Sequence, residues 1–164
     1  MTKTFGFGVI GCGSIAHIAH FPSIAKTEGA KLIACCDVSE EQARKAADQW
    51  EADHWFTDHL DMLDNCDGLD AVIIASPNNA HRNQAVAAAK RGIHVVVEKP
   101  LAITNQEAWE IVEACRENKV KLMVGCDRRF WTHNQWAKQL VEDGVIGNVL
   151  MSRASLHEHW HNYQ

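Results

Sequence analysis

Apolar runs of four to seven residues alternate with helix-length amphipathic segments from residue 5 to about residue 126, and few folds accommodate that order. Runs this short suit strands buried on both faces, and the interleaved helices make each pair of strands a βαβ unit around a parallel sheet. The runs place strands at 5–10, 31–36, 54–56 (weak), 71–75, 94–98 and 121–125. Six such strands fit one doubly wound α/β sheet, mostly parallel, with helices on both faces. Helix punctuation agrees. Ser39 with Gln42, and Thr104 with Glu107, have capping-box spacing, and Gly29 and Gly92 stand where helix ends take a left-handed residue. A last helix is expected over 130–143, ending at Gly144. The segment 149–164 then reads as an extended strand that opens something new.

Composition excludes several classes. The net charge of −5 leaves no basic face for nucleic acid. No apolar run approaches the roughly 18 residues of a membrane span. The six cysteines show no Cys-x-x-Cys spacing, which points to thiols packed as small hydrophobes in a reduced, cytoplasmic protein.

Directly after the first strand stands Gly11-Cys12-Gly13-Ser14-Ile15-Ala16, a G-x-G-x-x-A turn that opens a helical segment over 14–26. Gly11 permits the tight turn, Gly13 lets the backbone approach a diphosphate, and Ala16 allows close helix-to-strand packing. Ser14 and Ile15 begin the helix, whose free amides and partial positive charge suit phosphate. Asp37 ends the second strand, 24 residues after Gly13. It is placed to accept the ribose hydroxyls, a charge-assisted contact of about 1.5–3 kcal/mol. A 2′-phosphate there would meet a like charge, costing on the order of 4 kcal/mol. No arginine follows Asp37 immediately, the next residues being Val38 and Ser39, so NAD is expected over NADP. Without a ligand, the same residues would be a tight glycine turn and a plain strand-end acid.

Ligands of open α/β sheets bind outside the carboxyl ends of the strands. There the fourth strand is followed by Ser76-Pro77-Asn78-Asn79-Ala80-His81 and the fifth ends in Glu98-Lys99-Pro100. Together with the GCGSIA turn, the helix after Thr104 and the KLMVGCDRRF stretch, these motifs resemble the glucose–fructose oxidoreductase, inositol dehydrogenase and rhizopine-catabolism family, from about Phe5 to Leu156. The resemblance implies a Rossmann-type dinucleotide-binding domain over 1–146. Residues 147–164 would be the first strand of a second α/β substrate domain, whose remainder is absent. It implies that Lys99, in its Glu98-Lys99-Pro100 context, is the catalytic lysine beside the nicotinamide ribose and the substrate hydroxyl. It also implies that Ser76, Pro77 and Asn78 line the nicotinamide half of the cofactor, with Glu98 in the same cofactor set. Read from the residues alone, Lys99 is an ammonium that snorkels to solvent, and Pro77-Asn78-Asn79 is a turn whose asparagine caps the next helix. His81 matches a family position and equally suits a satisfied packing residue. Arg128 and Arg129 are expected to begin the last helix near the cleft, where they suit contact with a polyhydroxyl or anionic substrate and equally a solvated helix face. Trp131 stands where the family often carries an aspartate.

His157, His159 and His161 alternate, so a strand would put them on one face. A His- and Trp-rich interface strand explains that as well, and no metal is assigned. The sequence thus points to an oxidoreductase moving a hydride between NAD and a hydroxyl-bearing carbon of a sugar, sugar derivative or cyclitol, a homo-oligomer in its full-length form. The family's general acid/base is usually a histidine of the second domain, so this chain alone is expected to be inactive. The alternatives are a non-catalytic dinucleotide-binding module or fragment needing a partner domain, and a methyltransferase-like binder, which the Glu-Lys-Pro triplet disfavours.

Overall fold

A computed structural model describes residues 3–155. Six strands, β1 (Phe5–Ile10), β2 (Ala30–Cys36), β3 (His54–Phe56), β4 (Ala71–Ile74), β5 (His94–Glu98) and β6 (Leu122–Gly125), form one sheet in the order β3-β2-β1-β4-β5-β6. Every neighbouring pair is parallel. The order reverses between β1 and β4, so the crevice of a doubly wound sheet opens at their carboxyl ends.

The helices follow the punctuation of the sequence. Residues 14–26 are helical, but the middle, Ala16–His20, is π-helical before α1 (Phe21–Lys26). Pro22 explains the widened turn: it brings no N–H for the α-helical ladder and its ring crowds the preceding turn. Ser39 caps α2 (Glu40–Trp50) through its side chain. The half of the pair formed is the bond from the Gln42 N–H to Ser39 Oγ, at 3.4 Å, without the reciprocal bond from the Gln42 side chain. Asp58 caps α3 (His59–Asn65) by accepting from the N–H groups of Leu60 and Asp61 at 2.8 and 3.0 Å. Thr104 and Glu107 form the full reciprocal box at the start of α5 (Asn105–Glu117). Each such cap stabilises by about 1 kcal/mol. Gly29 and Gly92 take the expected positive φ, +80° and +75°.

Two apolar clusters cover the two faces of the sheet. One sets β4 and β5, with Ile74, Val95 and Val97, against α3, α5 and the alanine face of α4 (His81–Lys90): Ala85, Ala88 and Ala89. The alanines let α4 approach the strands closely. The other packs Val9, Leu32 and Cys35 against Phe21, Ile24 and the Ala46–Ala47 side of α2. Phe21 is stacked on Trp50, their ring centroids 5.6 Å apart. Each fully buried Val, Ile or Phe contributes roughly 1.5–3 kcal/mol. No buried side-chain N or O lacks a partner among the described residues, and no helix there is long and apolar enough to cross a membrane.

The chain divides into two compact units, 1–125 and 126–164. In the second unit a 3₁₀ turn, Asp127–Phe130, precedes α6 (Thr132–Glu142). The last helix therefore starts two residues later than expected, and Arg128 and Arg129 lie in the turn before it. Residues 149–155 are neither helix nor strand. The histidines at 157, 159 and 161 lie outside the described residues.

Candidate dinucleotide site

The glycine turn sits where the sequence places it, at the carboxyl end of β1. Gly11 has φ +96°, and a Cβ there would lie 2.6 Å from both the Ala75 carbonyl carbon and the Ser76 nitrogen. Only glycine allows β1 to turn this close to the end of β4. The Gly11 N–H donates to the Cys36 carbonyl at 2.7 Å, fixing the turn to β2 as well. At Gly13 the space is open, with nothing within 4 Å of a Cβ. Ser14 and Ile15 are exposed at the start of the helical segment, so the unpaired amides of a helix N-terminus face that open ground.

Asp37 completes the turn. Its Oδ2 accepts the Cys12 N–H at 2.8 Å and its Oδ1 accepts the Ser39 N–H at 2.9 Å. Its own N–H donates to the Phe56 carbonyl. The acid is thus oriented by β1, β3 and the start of α2, with lone pairs remaining on both oxygens for hydroxyl donors. A cavity of about 240 Å³ opens beside it, lined by Gly11, Asp37, Val38, Thr57, Asp58, His59, Ser76 and Pro77 among others. The sequence reading missed Val38, Asp58 and His59. The local signal was the Thr57-Asp58 pair, a helix N-cap pattern just past a weak strand.

Three thiols lie behind the turn. The hydrogen bond with Cys12, together with burial, pushes Cys35 far above the ordinary thiol range, and burial pushes Cys36 up to about 12. Cys35 and Cys36 therefore stay protonated and pack as apolar groups.

The loops after β4 and β5 are brought together. The Ser76 hydroxyl donates to Gln84 Oε1 at 2.6 Å. Pro77-Asn78-Asn79-Ala80 makes the expected turn, closed by the Ala80 N–H on the Pro77 carbonyl at 2.9 Å. No asparagine caps α4: its N-cap is Ala80, without a side-chain bond, because Asn78 is taken into the 3₁₀ turn Asn78–Ala80. Asn78 is exposed. His81 is completely buried, its Nδ1 and Nε2 each 2.9 Å from a backbone oxygen, of Pro100 and Ser76 respectively. It ties the two loops together as a packing residue and has no ring nitrogen left for a ligand.

Lys99 is exposed, and its peptide bond to Pro100 is cis. Its N–H donates to Glu98 Oε2 at 3.1 Å, while Glu98 Oε1 lies 3.0 Å from Nε2 of His20, at the end of the π-helical turn. Sequence reasoning missed His20, which is 78 residues from its partner. In the second unit, the Arg128 guanidinium sits over the Trp131 ring at 5.2 Å, and Arg129 offers its carbonyl to the Gln135 side chain. Among the described residues no group of three or more His, Cys, Asp or Glu is placed to hold a metal ion.

A parallel sheet in this order, with a glycine turn at its first strand and an acid at its second, defines a Rossmann-type dinucleotide-binding domain. The chain belongs to the oxidoreductase family with an NAD-binding Rossmann fold, whose model matches residues 5–126. It is similar to 2,7-anhydro-N-acetylneuraminate hydratase of Mediterraneibacter gnavus, 36% identical over 90% of this chain and 38% of that protein. It is similar also to inositol 2-dehydrogenase of Salmonella agona, 32% identical over 90% of this chain and 44% of that protein. The solved structure of scyllo-inositol dehydrogenase from Lactobacillus casei, with bound NAD(H) and scyllo-inositol, superimposes with a TM-score of 0.84 at 33% identity, over 89% of this chain and 43% of its own. The chain thus spans less than half the length of these relatives.

Proposed function

We propose that residues 1–125 bind NAD in preference to NADP for an oxidoreductase acting on a hydroxyl-bearing carbon of a sugar, sugar derivative or cyclitol. The observation that carries the reading is the union of open ground at Gly13 with the carboxylate of Asp37. A diphosphate takes the amides of Gly13, Ser14 and Ile15, and the adenosine ribose takes Asp37. No lysine or arginine is among the described residues lining the neighbouring cavity, which holds Asp37 and Asp58. A 2′-phosphate there meets like charges and no counter-charge. The inositol and anhydro-neuraminate in the relatives' names are polyhydroxyl rings, which supports the substrate class.

When bound, NAD supplies the hydride acceptor. The chain's own part is positioning. Ser76, Pro77 and Asn78 border the nicotinamide half, and Glu98 holds the Lys99 backbone. The Lys99 ammonium makes no hydrogen bond or ion pair to described residues, so it is available to orient a substrate hydroxyl and favour loss of its proton. Arg128 and Arg129 are kept as candidates for substrate contact, and residues 147–164 as the lead into a substrate domain. The complete enzyme is read as a homo-oligomer in a reducing cytoplasm, where five buried free thiols persist.

The 164-residue chain by itself is the non-catalytic alternative: a module that takes up cofactor without turnover. Titrating it with NADH, NADPH and S-adenosylmethionine, followed by nicotinamide and tryptophan fluorescence, tests the reading. NADH saturating at lower concentration than NADPH, with no response to S-adenosylmethionine, is the expected result. No NADH binding, or a preference for S-adenosylmethionine, rejects it. Turnover with any polyol would reject the module alternative.

A further inference from the structure

We infer that His20 is a positioning residue for Lys99, acting through Glu98 from the helix that follows the glycine turn. The inference rests on the reading of Lys99 given above.

The arrangement is built on three elements. His20 Nε2 lies 3.0 Å from Glu98 Oε1, and the two side chains are only 14% and 13% exposed. Water therefore competes weakly for the bond. The other carboxylate oxygen, Glu98 Oε2, accepts the N–H of Lys99 at 3.1 Å. Gly125 stands opposite Glu98 in the β5–β6 ladder, and a Cβ on it would come within 2.9 Å of Glu98 Oε1. The strand next door thus carries no side chain where the carboxylate lies.

His20 is the last residue of the π-helical turn. A π turn takes one residue more than an α turn and changes which side chains face the sheet. An imidazole donating from Nε2 to Glu98 leaves Glu98 one orientation, in which its second oxygen meets the following amide. The path runs from the diphosphate-binding helix, through His20 and Glu98, to the backbone of Lys99. Lysine itself has four rotatable stem bonds, so a fixed backbone is the means by which the fold can aim its ammonium.

The test uses the 164-residue chain and acetylation of Lys99 by a water-soluble active ester, read by peptide mass spectrometry with and without saturating NADH. In the unaltered chain NADH is expected to slow Lys99 acetylation about tenfold, because the bound nicotinamide half covers the aimed ammonium and excludes the reagent. His20→Leu is expected to remove most of that protection while the NADH dissociation constant, set by the glycine turn and Asp37, stays within about twofold. His20→Gln, whose amide N–H reaches Glu98, is expected to restore it. A purely structural role would change affinity and protection together, without rescue. Equal protection in all three chains overturns the inference and leaves the proposed function standing. NADH that binds without protecting Lys99 even in the unaltered chain removes the reading of Lys99, and this inference with it. Should His20→Leu not fold, His20→Asn replaces it, since its amide stops one methylene short; protection equal to that of His20→Gln then overturns the inference.

Discussion

The carboxylate of Asp37 accepts the backbone N–H of Cys12 at 2.8 Å, so the acid at the tip of β2 is fastened to the glycine turn at the tip of β1. The two features read separately in the sequence are one unit in the fold. Asp37→Ala removes both the ribose acceptor and the brace. The expected outcome is a loss of NADH affinity of about 1.5–3 kcal/mol and a smaller loss for NADPH, whose 2′-phosphate no longer meets the carboxylate. Paired titrations check this, and unchanged affinities for both cofactors would take Asp37 out of the site.

Lys99→Ala, made in a complete version of the enzyme, is expected to lower kcat by at least about 100-fold, the scale of a positioned acid–base group, with cofactor affinity nearly unchanged. Steady-state kinetics beside an NADH titration separates the two quantities. Normal turnover would refute the assignment.

The sheet was readable because buried parallel strands leave short unbroken apolar runs, and all six fell within a residue or so of their place. The turn at Gly11 was readable because a left-handed φ and close backbone approach demand glycine. What escaped is what depends on contacts across the sequence. Nothing near His20 announces Glu98, and one extra residue in a helical turn leaves no trace in an amphipathic pattern. Asp58 and His59 join the cavity wall only because β3 pairs with β2. The uncapped start of α4 shows the reverse case, where local spacing allowed an asparagine cap and the 3₁₀ turn Asn78–Ala80 placed Ala80 there instead.

Stability toward acid is expected to include the Asp70 contacts. The Lys3 ammonium and then the Gly6 N–H, at 2.6 and 2.8 Å, hold the Asp70 carboxyl below the usual carboxylate range. Arg91 acts likewise on Asp64, and Arg82 on Glu110. Each carboxylate binds its proton less readily folded than unfolded. Its contribution is complete above the ordinary carboxylate value of about 4 and is lost as pH falls through the lower folded value. Urea unfolding from pH 7 to 3 should give a shallower acid loss in Asp70→Asn than in the unaltered chain. Identical slopes would show that Asp70 is not coupled to folding.

Thiol chemistry reports on the packing behind the glycine turn. Cys126 is exposed, whereas Cys12, Cys35, Cys36, Cys66 and Cys115 are buried, and burial raises Cys36, Cys66 and Cys115 above the ordinary thiol range. A chromogenic disulfide reagent should therefore titrate one thiol quickly in the native chain and the other five only in denaturant. Two or more fast thiols would mean that the core at β2 opens readily.

The two glycines of the turn make opposite predictions. At Gly11 a methyl group meets the Ala75–Ser76 peptide at 2.6 Å, on a backbone with φ +96°. Gly11→Ala must therefore push β1 and β4 apart or move the turn, and is expected to destabilise by roughly 3 kcal/mol or more. At Gly13 a methyl group meets nothing within 4 Å, so Gly13→Ala should unfold at nearly the same denaturant concentration as the unaltered chain. The methyl group would nevertheless occupy the ground a diphosphate needs to reach the helix amides. NADH affinity should then fall at least about tenfold with no matching loss of stability. Denaturant melts and NADH titrations on the two variants separate a glycine kept for folding from one kept for a ligand. Full NADH affinity in Gly13→Ala would mean that the diphosphate does not lie on this turn.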